Sequence, residues 1–340
     1  MRNDTRQKFT EYLGQVASLN GVPSATVKFT TAPSVQQTLE TKIQESSDFL
    51  GRINLIGVTE QSGEKIGLGV SGPVAGTTNT ATTDRAPANI ITLSDEGYSC
   101  TQTNFDTFIT YGQLDTWAKF PDFQTRVRDA IIKRQALDRI LIGFNGTSRA
   151  ATSDKATNPL LQDVNKGWLQ KYREHAPARV LAEVEANSDT IKVGSTATAA
   201  NGYKNLDALV MDAINNLIEP WYQEDPGLVV ICGRALLADK YFPIVNQTQA
   251  NSEALAGDLI ISQKRIGNQP AVRVPFFPAN AMMITSLANL SLYYQEGARR
   301  RSIVENAKRD RIENYESSND AYVVEDYGFG CLVENIELVD

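Results

Sequence analysis

The chain has 340 residues, 41% apolar and 21% charged, a balance that suits one or two folded domains and excludes a disordered chain. A formal net charge of −7 excludes a domain that grips nucleic acid by bulk electrostatics, but not a container that merely encloses it. Three scattered cysteines (Cys100, Cys232, Cys331) and one histidine (His175) show no CxxC or zinc-ligand spacing, so buried reduced thiols are expected and no metal site.

Met1 to Lys8 is polar and charged with no apolar stretch behind it, and no apolar run approaches the roughly 18 residues of a membrane span, so neither export nor insertion is expected. Phe9, Tyr12, Leu13, Val16 and Leu19 share one face of a first helix, ended by Asn20-Gly21 and Pro23. Residues 1–31 carry Arg2, Arg6, Lys8 and Lys28 against Asp4 and Glu11, so this end is locally basic. Phe29 to Pro33 reads as extended and accessible. A second helix, capped by Ser34, should turn Val35, Leu39, Ile43, Phe49 and Leu50 inward.

From Ile53 to Thr110 the pattern changes to strands at 53–59, 65–70 and 99–110 around a stretch of small polar residues. That stretch, Gly72 to Ala88, holds Gly72, Pro73, Gly76 and Pro87 and has too few apolar groups to pack a core. A lone hairpin is marginal in water. The expected arm must therefore gain order by lying on another chain.

A spine helix follows over 121–144, with Phe123, Val127, Leu137, Leu141 and Phe144 in a single apolar stripe that also takes in Phe120 and Ala130. At 1.5 Å per residue it would be a rod of roughly 36 Å. Three pairs four residues apart, Asp122–Arg126, Asp129–Lys133 and Arg134–Asp138, should support it. Another helix is expected from Asn158-Pro159, with Leu161, Val164, Trp168 and Tyr172 inward. Beyond Leu206 the pattern becomes α/β. A helix ending at Pro220 leads to the apolar strand Leu228–Cys232, which Gly227 and Gly233 bound as in a buried central strand. A helix over 235–245 and strands at 271–276, 282–285, 290–295, 322–324 and 332–338 complete the pattern.

Four features of the sequence could carry chemistry. Gly67 to Gly72 matches GxGxxG, but Pro73 and a Gly/Thr-rich loop follow where a dinucleotide site needs a helix N-terminus. His175 lacks a GxSxG or HExxH companion and suits a helix end. The carboxylates Glu313, Glu316, Asp320, Glu325 and Asp326 lack calcium-loop spacing and read as a solvated or intersubunit face, and Arg299-Arg300-Arg301 as a partner for a neighbour's carboxylate. No catalytic, cofactor-binding or metal-binding set emerges.

Several stretches resemble the major capsid protein of peduovirus-type tailed phages: Glu45–Leu50, Gly63–Gly67, Ala130–Gln135, Gly167–Arg173, Leu217–Pro226, Leu237–Asn246, Ile261–Asn268 and Glu313–Ser317. The resemblance implies an α+β protein of the HK97-like phage capsid fold, with an N-terminal arm, an extended β-hairpin loop, a long spine helix, a peripheral-domain sheet and an α/β axial domain. Mapped on this chain, 1–31 is a segment removed on maturation, with Thr30, Thr31 and Ala32 as the candidate cleavage region. Residues 32–53 form the arm, 54–110 the extended loop and its base, and 111–204 the spine helix and peripheral domain. Residues 205–295 form the axial domain, and 296–340 add C-terminal strands to the peripheral domain.

The implied function is a structural one without enzyme activity. The subunit would self-assemble in the bacterial cytoplasm, as pentamers and hexamers, into an icosahedral procapsid of the virion, T=7 being the family default. The implied partners are a scaffold, a maturation protease, a portal protein and non-specifically enclosed double-stranded DNA, with no membrane and no cofactor. The rival readings are an encapsulin-like cellular nanocompartment shell of the same fold and an NAD-dependent enzyme; the long spine helix disfavours a jelly-roll capsid.

Overall fold

The computed structural model describes residues 1–65, 69–70, 75–86, 91–92, 97–117, 123–245 and 264–339. It divides into two compact units, each assembled from distant parts of the chain. Residues 1–62, 99–168 and 291–323 form the first, and 63–98, 169–290 and those from Val324 onward the second.

The first unit carries helices α1 (Asn3–Leu19), α2 (Pro33–Glu45), α3 (Tyr111–Trp117) and α4 (Phe123–Asn145) on a seven-stranded sheet. Its centre is the 14-residue strand Arg311–Val324. Arg300–Asn306 and the pair Thr101–Asn104 and Thr107–Thr110 run antiparallel to it. Leu290–Gln295 lies next, with Asn54–Val58 parallel outside it. Both roots of the expected arm are thus strands of this sheet.

α4 stops within one residue of where the periodicity places its end, while the expected start at 121 lies outside the described residues, and its burial differs. Thr125, Arg126, Arg128, Asp129 and Ala130 are exposed, Val127 and Leu137 are half-buried, and every residue from Arg139 to Phe144 is buried. The helix is a half-embedded rod rather than one with a single stripe. Its embedded end sits in an aromatic cluster: Phe49 to Phe144 at 5.3 Å, Phe144 to Trp168 at 5.1 Å and Trp168 to Tyr322 at 5.2 Å between ring centroids. Gly143 makes this approach feasible, since a Cβ there would lie 2.2 Å from Trp168 Cζ3. Of the expected pairs, Arg134–Asp138 forms, while Asp129 meets its neighbour Arg128.

The helix expected from Asn158 does not form. Residues 158–167 are turns and irregular chain, Leu161 adopts a left-handed φ of 57°, and α5 spans only Trp168–His175. The chain must first pass Gly167 against the end of α4, where a Cβ would lie 2.3 Å from the Gly143 carbonyl oxygen. Only then can Trp168 reach the core. The expected cap of α2 also shifts: Pro33 takes the first turn, Ala32 precedes it, and Ser34 is exposed.

The second unit is α/β. Leu228–Cys232 is central, parallel to Gln269–Arg273 and antiparallel to Met282–Ser286. α6 (Leu206–Leu217) and α7 (Arg234–Val245) accompany it. Asn205 caps α6 by accepting from the Ala208 amide at 2.8 Å, and the helix buries Leu206, Leu209, Val210 and Ala213 against Leu228, Val230 and Ile284. The C-terminal strands that the resemblance groups with the spine helix join this unit: Gly330–Val333 pairs with Met282–Ser286, and Ile336–Val339 with Ile191–Gly194. A separate two-stranded ribbon pairs Ser62–Glu64 with Gly97–Ser99 and Gly69–Val70 with Ile91–Thr92.

Candidate functional site

The most ordered polar arrangement is one the sequence does not announce. α2 does not turn Val35 and Leu39 fully inward; it buries Gln36, Glu40 and Ile43, at steps of four and three. α4 likewise buries Gln135 and Arg139. These side chains meet Arg299, Glu316 and Asp320 in a network of which every member is at most 5% exposed. Glu40 bridges two guanidinium groups, bonding Arg299 at 2.6 Å and Arg139 at 2.5 Å. Arg139 Nε donates to Asp320 at 3.0 Å and Arg299 Nε to Glu316 at 2.8 Å. The Gln135 amide closes the ring, donating to Glu316 at 3.0 Å and accepting from Arg299 at 2.7 Å.

This corrects the reading of Glu316, Asp320 and Arg299 as solvated or intersubunit groups: all three are consumed within one chain. Burial alone would push the Glu40 carboxyl up, but Arg139 and Arg299 outweigh it and hold it below its ordinary value. Glu316 is held down in the same way by Arg299 and Arg301 against its burial. Groups with depressed folded pKa values stabilise fully above the unfolded value and lose that contribution as pH falls through the folded one. The unassembled subunit should therefore show a flat melting temperature above the ordinary carboxylate value of 4.5 and a fall below it. Glu40→Gln should shrink that fall. A melting temperature unchanged to about pH 3 would contradict the assignment.

The candidate cleavage region is extended, as expected, and mixed in exposure: Thr30 is exposed, Ala32 half-buried and Thr31 buried. Phe29–Thr30 pairs with Arg301 and Arg300. The Thr31 amide donates to the Arg299 carbonyl at 2.9 Å, and Thr31 is 5% exposed. The Ala32 amide donates to Asn20 Oδ1 at 3.1 Å. The segment before it is docked too. Val16, Ala17, Ala25 and Phe29 pack on Leu114, Ile303 and Ile312, and Arg6 clasps Glu305 at 2.7 Å. Phe9 and Tyr12 lie half-buried as the first helix predicts, while Leu19 is 69% exposed.

Of the arm residues, Gly76 lies in the described stretch 75–86, which is exposed throughout, with open space where a Cβ would stand. Gly72, Pro73 and Pro87 lie outside the described residues, as does most of the GxGxxG stretch. Among the spine residues, Leu141 and Phe144 are buried and Phe123 opens α4.

Among the described residues no group of three or more His, Cys, Asp or Glu is placed to hold a metal. His175 ends α5, 5.9 Å from the Tyr327 ring. Burial pushes the Cys100 and Cys331 thiols up to about 12 and Cys232 up to about 11, so each is a packing group at neutral pH and not a nucleophile.

Residues 8–336 match the family described as phage major capsid protein, P2 family. The chain is 60% identical to the capsid protein of Escherichia phage P2, across 100% of this chain and 96% of the relative. It is 45% identical to the major capsid protein of Serratia phage KSP20, covering 99% and 97% of the two. Its fold superposes with a TM-score of 0.83 on a chain of the satellite phage P4 procapsid that includes the size determination (Sid) protein, at 57% identity over 100% and 99% of the chains. A capsid chain of an empty GTA particle, at 12% identity and a TM-score of 0.51 over 86% and 90%, shares the fold alone.

Proposed function

The chain belongs to the P2 family of phage major capsid proteins, with the HK97-like capsid fold, and from that premise we propose how its shell is built and matured. It is a shell subunit that assembles with copies of itself and forms part of a virion; likeness across the whole chain to phage capsid proteins does not favour the nanocompartment alternative. The proposal adds that pentamers and hexamers assemble in the host cytoplasm around a scaffold and a portal. A protease then removes residues 1–31 near Thr31, and the shell encloses double-stranded DNA without specific contacts.

The observation that carries this reading is full-length likeness to a procapsid chain. The acidic balance of −7 supports enclosure without adhesion. The exposed stretch 75–86 supports an arm that orders on a neighbour. The test is electron microscopy of the protein expressed with and without a scaffold protein. Closed, uniform shells are expected with it, and irregular or open assemblies without it. A protein that stays monomeric at high concentration in both cases is not this subunit.

A further inference from the structure

The candidate cleavage region is guarded by backbone bonding more than by depth, since Thr30 is exposed. Phe29 and Thr30 form a ladder with Arg301 and Arg300 at the edge of the sheet. The Thr31 amide donates to the Arg299 carbonyl, and the Ala32 amide to Asn20 Oδ1. The Ala32 carbonyl in turn accepts from the Gln36 amide at 2.9 Å, in the first turn of α2. Four residues in a row are thus committed to the fold. A protease must draw such a stretch into its own cleft as an extended strand, so cutting follows the fraction of time the segment is open.

The two sides of the segment are fastened unequally. Downstream, Gln36 donates to the Gln295 carbonyl at 3.0 Å and accepts from the Gly297 amide at 2.9 Å. One turn further, Glu40 enters the buried network, so α2 opens only with the fold itself. Upstream, α1 is tied by Arg6 to Glu305, side chains 52% and 30% exposed, and by the Arg2 amide to Asp115. Exposed ties of this kind hold weakly, and the apolar cluster around Val16, Ala17 and Phe29 supplies the rest. Asn20 joins α1 to the cleavage region. Its Nδ2 donates to the Val16 carbonyl at 2.8 Å, in the last turn of α1, while its Oδ1 holds the Ala32 amide. Whatever lifts the end of α1 takes that oxygen away from residue 32.

We propose that cleavage near Thr31 is latent in the folded subunit and becomes possible only when α1 undocks, with Asn20 as the latch. It rests on the reading that residues 1–31 are removed at maturation. Control then acts on a weakly fastened helix and not on the scissile bond, so this chain sets the moment of the cut together with the protease. After the cut α2 keeps its place, because none of its buried bonds reaches into residues 1–31.

The test is limited proteolysis of the full-length unassembled protein with subtilisin, the cuts being located by mass spectrometry. Residues 75–86, exposed throughout, serve as the internal standard. Bonds between Phe29 and Pro33 should be cut roughly tenfold more slowly than that standard, or slower still. Asn20→Ala should speed those cuts roughly fivefold, and Arg6→Glu, which sets a carboxylate against Glu305, roughly threefold. Arg52→Met, an exposed change outside α1, should leave them as they are. Equal rates at the two sites in the parent protein overturn the proposal. So do rates unchanged in both latch variants, or cuts that appear at the same time within the buried Arg139–Phe144 end of α4, because the whole fold is then opening. The mass of the chain in finished particles keeps the two readings apart. Residues 1–31 still attached there would overturn their removal, whereas the latch stands or falls on the subtilisin rates.

Discussion

Arg139→Met is expected to destabilise the unassembled subunit by about 3–5 kcal/mol, enough to unfold a protein of ordinary stability. The replacement keeps an unbranched apolar stem and removes the guanidinium with its charge and donors. Glu40 and Asp320 would then remain buried with Arg299 as the one cation bonded to Glu40 among the described residues. Desolvating a charge is costly, and the partner's field offsets that cost only while the partner is present. An exposed pair gives the contrast. Arg52 bonds Asp48 at 3.0 Å, but the two side chains are 52% and 79% exposed, and Arg52→Met should fall within about 0.5 kcal/mol of the parent. Adding Glu40→Gln to Arg139→Met should cost less than the two losses summed, since the groups share one network. Urea unfolding of the four proteins measures all of this. A loss below about 1 kcal/mol for Arg139→Met would show that the network is not the tie it is taken for.

Deleting Gly76–Arg85 should have the opposite profile. These residues lie within a stretch that is exposed throughout, so the subunit should fold with its stability changed by no more than about 0.5 kcal/mol. Shell closure should be lost, because this exposed stretch would no longer be there to reach across to a neighbour and become ordered on it. The measurement pairs a thermal melt with electron microscopy of the coexpressed scaffold and variant. Normal closed particles would remove the arm from the mechanism.

What the sequence made legible follows from how local the signals are. Leu228–Cys232 reads as a buried strand because five apolar residues stand between two glycines, and so it is. The extent of α4 is readable from its period, and the small polar stretch after Gly72 from its poverty in apolar groups. The network was not legible. Gln135 and Arg139 look like solvent-facing residues until Glu316 and Asp320, 181 positions away, supply their partners. For the same reason α2 is rotated from its expected face: Glu40 is worth burying only where two arginines meet it. One signal was available, since Gln36, Glu40 and Ile43 keep helical spacing and the polar pair could have been read as buried. The missing helix after Asn158 failed for a steric reason. Gly143, Gly146 and Gly167 mark a close crossing of backbones, and a helix begun earlier would carry side chains into it.

The roots of the ribbon have a mechanical consequence. Val58, where the chain leaves for the ribbon, ends a strand bonded over five register positions to Ser291–Gln295. Thr101, just past its return, begins one bonded over four to Ser317–Asp320. Tension drawn along the ribbon in line with these strands loads each ladder lengthwise, so its hydrogen bonds share the force and must shear together. A strand peeled from its end would give way one bond at a time. A subunit anchored like this can be pulled by its neighbours harder than any one of those bonds could bear.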